Sequence, residues 1–499
     1  LQNKGKYDFV IIGGGLGGLL VANILALHNN KVCVLEKDKK IGGNLQTFVR
    51  NGCIFDTGMH YIGSYDKGQP LYQIFKYLDI VDKFEVQRLD DFGYDVFSIG
   101  DYEFKYATGY DNYSKVLKES FPGEETAIDT FLGTIQNICR CVNDFSIFDK
   151  DFDRTAYIQS YSHCAYKFIE GLTENKLLKA VLAGNNGLYC GNSEKTSVNL
   201  LANINNFYIG SAWRMVGGGH QLADALKSNI ESLGGEVLKK KNVVKLLFEG
   251  KTVTAAQTSD GENFEADKFI SGTHPAISLD WIEPGKLTRV FSNRVRGIEN
   301  SIGAFVLYLV VEKGKIRHRN GNLYYSIDDN VWNINRDPDR PWPEGFLLYT
   351  ARDGDSEFAE SITVVTMQDY REMEKWKDTK VGNRGEAYEQ FKKRKMKALF
   401  DLVVEKLPEI EGAVLHSYAA TPLTFRDYTG TVNGSMYGTV KDCSSPLVTN
   451  ISTRTKIPNF YFTGQNINNH GILGVAMSTL ITCGNFIEMQ DLIGKIKSS

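Results

Sequence analysis

Residues 7–36 constrain this chain more than any other stretch. An apolar, β-branched run (YDFVII, 7–12) reads as a buried strand, 19–28 (LLVANILALH) as a helix and 31–36 (KVCVLE) as a second strand. Strand, helix and strand in that order commit the chain to a right-handed βαβ crossover and a parallel sheet with helices on its faces. Between the first strand and the helix stand five glycines in six positions, 13–18. They contain Gly13-x-Gly15-x-x-Gly18, and Glu36 closes the second strand. With 48 glycines in 499 residues, the bare pattern arises by chance about 0.4 times in such a chain, so its setting is what counts. In that setting Gly13 permits a tight turn, Gly15 lets a pyrophosphate approach the backbone, and Gly18 lets the helix pack on the sheet. The helix N-terminus offers free N–H groups to the anion. Glu36 is placed to accept from both ribose hydroxyls and to repel a 2′-phosphate.

Two later stretches extend the site. Gly42-Gly43 follow just after Glu36, where backbone can reach the far side of a pyrophosphate. Tyr461-Phe-Thr-Gly464-Gln465 ends a late strand and Gly471-Ile-Leu-Gly474 opens a helix. A simple nicotinamide dehydrogenase needs neither, whereas a long flavin dinucleotide needs a second contact of this kind.

Composition removes other classes. The formal charge of −3 with both signs dispersed argues against nucleic-acid binding. The eight cysteines contain no CxxC, which disfavours a zinc site or a dithiol relay and reads as buried free thiols of a reducing, cytoplasmic compartment. The eight histidines form neither HExxH nor HxxxH, so no metal is expected. Phe9–Leu27, behind Lys4 and Lys6, superficially resembles a signal or membrane segment, but its glycines and Asp8 argue against both. No transmembrane helix is expected.

Further along, helices are expected at 111–120, 124–143, 165–183, 383–407 and 471–493, hairpins and a strand over 242–270, and strands of a second sheet at 301–311 and 345–366. The expected class is α/β. A Rossmann-type, glutathione reductase-like FAD domain is drawn from 1–90, 205–280 and 412–499, with an interleaved α+β substrate domain from 91–204 and 281–411.

Residues 13–18, 36, 42–43, FDTGMHYIG (55–63), Gly217–Gly219, Thr421–Gly438 and YFTGQN…GILG (461–474) resemble the amine oxidase and phytoene desaturase superfamily of flavoproteins. Within it they resemble the branch of all-trans-retinol 13,14-reductase (retinol saturase) and carotenoid isomerase. The resemblance is strong over about 5–65, 210–275 and 415–490. It implies FAD, held by Gly13, Gly15, Leu16, Gly17, Gly18, Glu36, Lys37, Gly42, Gly43, Asn44, Gly58, Met59, His60, Val243, Val244, Gly272, Gly464, Gln465, Gly471, Ile472 and Leu473. Asn44 and Gln465 depart from the Arg and the Asp or Glu of many relatives. It also implies a lipophilic polyene substrate whose double bond is saturated, desaturated or isomerised by hydride transfer at flavin N5. His60 and Tyr437 are the candidates to face the reacting bond. No second GxGxxG unit gives NAD(P) a dedicated domain, so the expected electron donor is external: another protein, a quinone or transiently bound NAD(P)H. Two alternatives stand beside this reading: an amine oxidase-like FAD enzyme, and a non-catalytic flavin-containing binder of isoprenoids or lipids. Peripheral membrane contact, with the helices of 111–183 at a tunnel rim, is a separate expectation.

Overall fold

The computed structural model describes residues 6–499; Lys4 lies outside them. Strand β1 (Tyr7–Ile12), helix α1 (Leu16–Leu27) and strand β2 (Val32–Leu35) form the expected opening unit. A parallel sheet grows around it in the order 236–238, β2, β1, 263–271, 460–462. The sheet is therefore assembled from both ends of the chain. Its core strands are buried on both faces, which is why they read as unbroken apolar runs. Helix α1 packs against Gly471–Cys483 and His220–Ser232 on one face.

A second sheet runs 414–420, 303–311, 361–368, 345–351, 322–326, 95–99, 102–106. Its strands alternate faces with period two. Phe305, Leu307, Leu309, Leu348, Ile362 and Val364 pack under the helix Glu386–Lys406 through Leu399 and Val403. The other face, carrying Val306, Tyr308, Tyr324, Leu347, Tyr349 and Val365, is turned to a cavity between the two sheets.

The structure redraws several expected boundaries. The strand Val414–Ala420 pairs with Gly303–Val311, so the piece expected to begin the nucleotide domain at 412 starts inside the second sheet. Residues 281–298 go the other way: Trp281, Val295 and Ile298 pack with Val10, Ile12 and Leu35 of the first sheet. The expected break at 204/205 falls inside the helix Val198–Gly210. That helix went unread because Asn199, Asn203, Asn205 and Asn206 are poor helix formers; all four are buried and bond one another or nearby groups. The helix expected over 165–183 is two helices, 165–170 and 176–182, parted at Gly171 and restarted by the Asn175 side chain, which caps Leu177 and Leu178 N–H. Similarly, 471–493 breaks after Cys483 at Gly484 and restarts under a Glu488 cap.

Among the described residues no helix is long and apolar enough to cross a membrane. The helices Tyr110–Ser120 and Glu125–Asn143 turn their apolar stripes inward.

Candidate active site

One cavity of about 910 Å3 collects most of the residues singled out in the sequence. At its nucleotide end the wall is backbone. Gly13 has φ +105°, a conformation that L side chains rarely adopt. A Cβ on Gly18 would lie 2.0 Å from Gly13 O, and one on Gly17 would lie 2.9 Å from Gly464 Cα. Gly15 differs from these. Its φ is −76° and a Cβ there would meet nothing within 4 Å, so its missing side chain leaves open space. Gly42 and Gly43 both have positive φ; Gly42 N–H donates to Gly14 O at 2.7 Å, which lays the second glycine pair on the first.

Two helices point uncapped N-termini at this space. Neither Gly15, before α1, nor His470, before Gly471–Cys483, supplies a side-chain cap. The first N–H groups of both helices are thus left for an anion. Glu36 is buried, and burial raises its carboxyl above the usual range, against bonds accepted from Gly14 N–H and Asp38 N–H at 2.8 Å each. A carboxylate offers about four acceptor positions, so those two bonds leave capacity for ribose hydroxyls.

Of the expected cofactor contacts, Gly13, Gly15, Leu16, Gly17, Glu36, Lys37, Gly42, Gly43, Asn44, Gly58, Met59, His60, Val243, Gly272, Gly464, Gln465, Gly471, Ile472 and Leu473 line the cavity. Gly18 sits behind the wall, packed on Gly13 and Ile11. Val244 is 44% exposed and does not line the cavity, because it is the unpaired residue of an irregularity between Val243 and Lys245. No residue of 111–183 lines the cavity, so the helices expected at a tunnel rim are not its wall.

The other end is aromatic. His60 stacks on Tyr349 with ring centroids 5.3 Å apart, Tyr61 packs on Tyr208 at 4.2 Å, and Tyr437 stacks on His470 at 4.1 Å. His60 and Tyr437 thus both reach the cavity, in separate stacks. Burial, reinforced by Arg214, pulls the His60 imidazole down to about 3, so it is neutral; its Nε2 has no hydrogen-bond partner. Tyr437 donates to Gly187 O at 3.3 Å.

Sequence reasoning missed the charged groups behind these rings. Arg214 donates to His60 O at 3.3 Å, Thr350 O at 3.2 Å and Asn322 Oδ1 at 2.7 Å, with its guanidinium 5.4 Å from the Tyr349 ring centre. Asp56 accepts from Gly219 N–H at 2.8 Å; burial pushes its carboxyl up to about 7 although that bond and Arg214 pull it down. Asp95 is fully buried and held by Asn322 and Tyr61. Asp56 and Tyr61 stand inside the FDTGMHYIG run and were within reach of motif reading. Arg214, Asp95 and Tyr324 carry no local signal.

Comparison with known proteins agrees with this fold. Residues 11–78 match the family described as NAD(P)-binding Rossmann-like domain. The all-trans-retinol 13,14-reductase of Danio rerio is 29% identical over 97% of this chain and 86% of its own length. The chain is similar to that branch from end to end. Prolycopene isomerase 2 of an Oncidium hybrid cultivar is 26% identical over 58% of this chain and 51% of its own. A second Danio rerio relative, 24% identical over 94% of this chain and 83% of its own, is named an inactive all-trans-retinol 13,14-reductase. Among solved structures, putrescine oxidase bound to putrescine superposes with a TM-score of 0.66 at 11% identity, covering 98% of this chain and 99% of that one. At that identity the likeness speaks for the fold alone. Together these findings bear out the resemblance to the retinol saturase and carotenoid isomerase branch and the Rossmann-type α/β fold.

Proposed function

We propose that the cavity holds FAD and that the protein is an oxidoreductase acting on a carbon–carbon double bond of a lipophilic polyene. The residues present fit the cofactor: the space over Gly15, the two uncapped helix N-termini and the spare acceptor capacity of Glu36 lie along one wall. FAD, when bound, supplies the hydride for saturation. The protein's part is to hold an apolar chain across the aromatic end, exclude water and move the proton.

One observation carries the choice of substrate. The Tyr349 ring in the cavity wall already has the Arg214 guanidinium 5.4 Å from its centre and the His60 ring stacked on it at 5.3 Å. A cationic substrate would be repelled there, whereas an uncharged polyene loses nothing and gains about 0.8 kcal/mol for each buried CH2-sized unit. The names of the relatives support the same substrate class, with saturation the direction of the full-length relatives. Asn44 and Gln465 line the cavity, and their amides can hydrogen-bond phosphate and ribityl oxygens without the charges found in many relatives.

The test is a visible spectrum with anaerobic reduction, repeated with retinoid and carotenoid polyenes. A flavin band that bleaches on reduction and returns only when polyene is added supports the proposal. Bleaching of the oxidised flavin by an amine, with no response to polyenes, favours the amine oxidase reading. A yellow protein that no donor bleaches favours a non-catalytic binder.

A further inference from the structure

Behind the aromatic wall runs a chain of hydroxyl and carboxyl groups that the proposed reaction has not yet used. Tyr324 and Tyr61 both line the cavity, and their hydroxyls are 3.0 Å apart. Tyr61 OH donates in turn to Asp95 Oδ2 at 3.0 Å. Asp95 has no exposed surface, and its other oxygen, Oδ1, accepts from Asn322 Nδ2 at 2.7 Å. The Asn322 amide cannot turn round, because its own Oδ1 accepts from Arg214 at 2.7 Å. A proton on Asp95 is thereby restricted to Oδ2, the oxygen facing Tyr61. With that proton in place the hydrogen bonds run outward: Asp95 donates to Tyr61, Tyr61 to Tyr324, and the Tyr324 hydroxyl is free to donate into the cavity. Without it they run inward. The rings are held for this task, Tyr324 stacked on Phe97 at 4.7 Å and Tyr61 on Tyr208 at 4.2 Å.

We propose that Tyr324 is the catalytic acid of double-bond saturation and that Asp95, acting through Tyr61, is the positioning residue that refills it. The inference rests on the polyene reading above. As hydride adds to one carbon of the double bond, the π pair takes the Tyr324 proton to form the second C–H bond. The two electrons that the alkene gains are those that reduced FAD, when bound, would supply with the hydride. Tyr324 draws a proton from Tyr61 and Tyr61 from Asp95, leaving an aspartate. Water entering the emptied cavity returns the proton along the same path.

The surroundings favour this carboxyl as a reservoir. Among the described residues Tyr94, Tyr106, Tyr113, Tyr208, Tyr61 and Tyr324 surround it, all neutral, and Arg214 is the cation that acts on it. Burial pushes Asp95 up to about 7, against the bonds from Asn322 and Tyr61, so both states are populated near neutrality. A tyrosine alone would be a poor donor here, since burial raises Tyr324 well above its ordinary value and a lone tyrosinate would be stranded. His60 and Tyr437 have no such group behind them: His60 Nε2 is unpartnered, and Tyr437 bonds a carbonyl.

Two measurements test it. In the oxidised holoenzyme, infrared difference titration of wild type against Asp95→Asn is expected to show a protonated-carboxyl band that fades through pH about 7, and Tyr61→Phe is expected to shift its frequency. Absence of the band, or indifference to Tyr61→Phe, overturns the relay whether or not any variant turns over. In the second, dithionite-reduced enzyme is mixed with polyene or with ferricyanide. Tyr324→Phe is expected to slow reoxidation by polyene about 100-fold or more while leaving ferricyanide untouched. Asp95→Asn is expected to remove the rate's decline through pH about 7. Wild-type turnover retained by Tyr324→Phe overturns the acid and leaves the polyene reading standing. Wild type reoxidised by ferricyanide but by no polyene overturns both.

Discussion

The two ends of the cavity are built on opposite principles. At the nucleotide end the ligand is met by backbone, and what the sequence must supply is the absence of side chains at fixed spacing. At the aromatic end the ligand is met by side chains from strands and helices scattered between residues 59 and 470, and the backbone is hidden beneath them. The first kind of wall tolerates almost no change at a few positions. The second tolerates change at many, and pays in selectivity.

The largest effects test that contrast within one glycine motif. Gly18→Ala sets a methyl 2.0 Å from a backbone oxygen that cannot withdraw, and a loss of about 4 kcal/mol or more is expected, seen as insoluble or unfolded chain. Gly15→Ala meets nothing in the protein, so the colourless variant should melt as flavin-free wild type does while the flavin absorbance is gone. If Gly15→Ala retains the flavin, the open space over Gly15 is not its seat.

A smaller effect is expected at the other end. Leu347→Trp fills the cavity from the second sheet, and should leave the flavin content intact while polyene-dependent reoxidation falls about tenfold or more. Loss of flavin in that variant would mean that the two ends are not separable.

Next comes pH. Burial holds Asp56 at about 7 in the folded chain, above the ~4 of an unfolded carboxyl. Between those values the folded state keeps a proton that the unfolded state has released. The stabilisation is therefore complete below pH ~4, declines as pH rises toward ~7 by up to roughly 1.4 kcal/mol per unit, and is flat above. Asp95 acts in the same window. Asp56→Asn keeps the acceptor for Gly219 N–H and should about halve the slope in melting curves of the flavin-free protein taken from pH ~5 to ~7. An unchanged slope would mean that Asp56 is ionised in the fold.

The smallest effect is at Val244. Val244→Ser should leave flavin affinity within twofold of wild type, because that side chain is turned to solvent.

The same contrast explains what could be read without a structure. Gly13, Gly15, Gly18, Glu36 and Gly42-Gly43 lie in one short unit where each role demands a residue type at a set distance, and the opening βαβ follows from them. The aromatic end offers no such demand. Gly303–Val311 is buried at every position, so alternation of faces leaves no trace in its hydrophobicity, and nothing local says that Val306 and Tyr308 see the cavity while Phe305 and Leu307 do not. The strands Asp95–Ile99 and Tyr102–Tyr106 hid among tyrosines, aspartates and lysines, and with them Asp95. Its partners Tyr61 and Tyr324 are 263 residues apart, a pairing that only the sheet topology creates. The domain boundaries failed for a related reason: Val414–Ala420 is mostly exposed and shows no alternation, and its sheet is decided by its partner.

The meeting of Gly17 with Gly464 has a consequence for how the chain is made. The strand 263–271 receives one parallel neighbour from residues 7–12 and the other from 460–462, and the cradle closes only when Gly464 reaches Gly17. At the ~5–20 residues per second of protein synthesis, roughly 20–90 s separate the emergence of those two glycines. Throughout that interval the nascent sheet carries an unmatched apolar edge, and no dinucleotide can stabilise it. A dinucleotide held there would thus be excluded from guiding early folding and would act only as a late clamp on the assembled sheet. Cofactor shortage should consequently show as a fully synthesised, poorly surviving polypeptide, and loss of the last 40 residues should be as damaging as loss of the first 40.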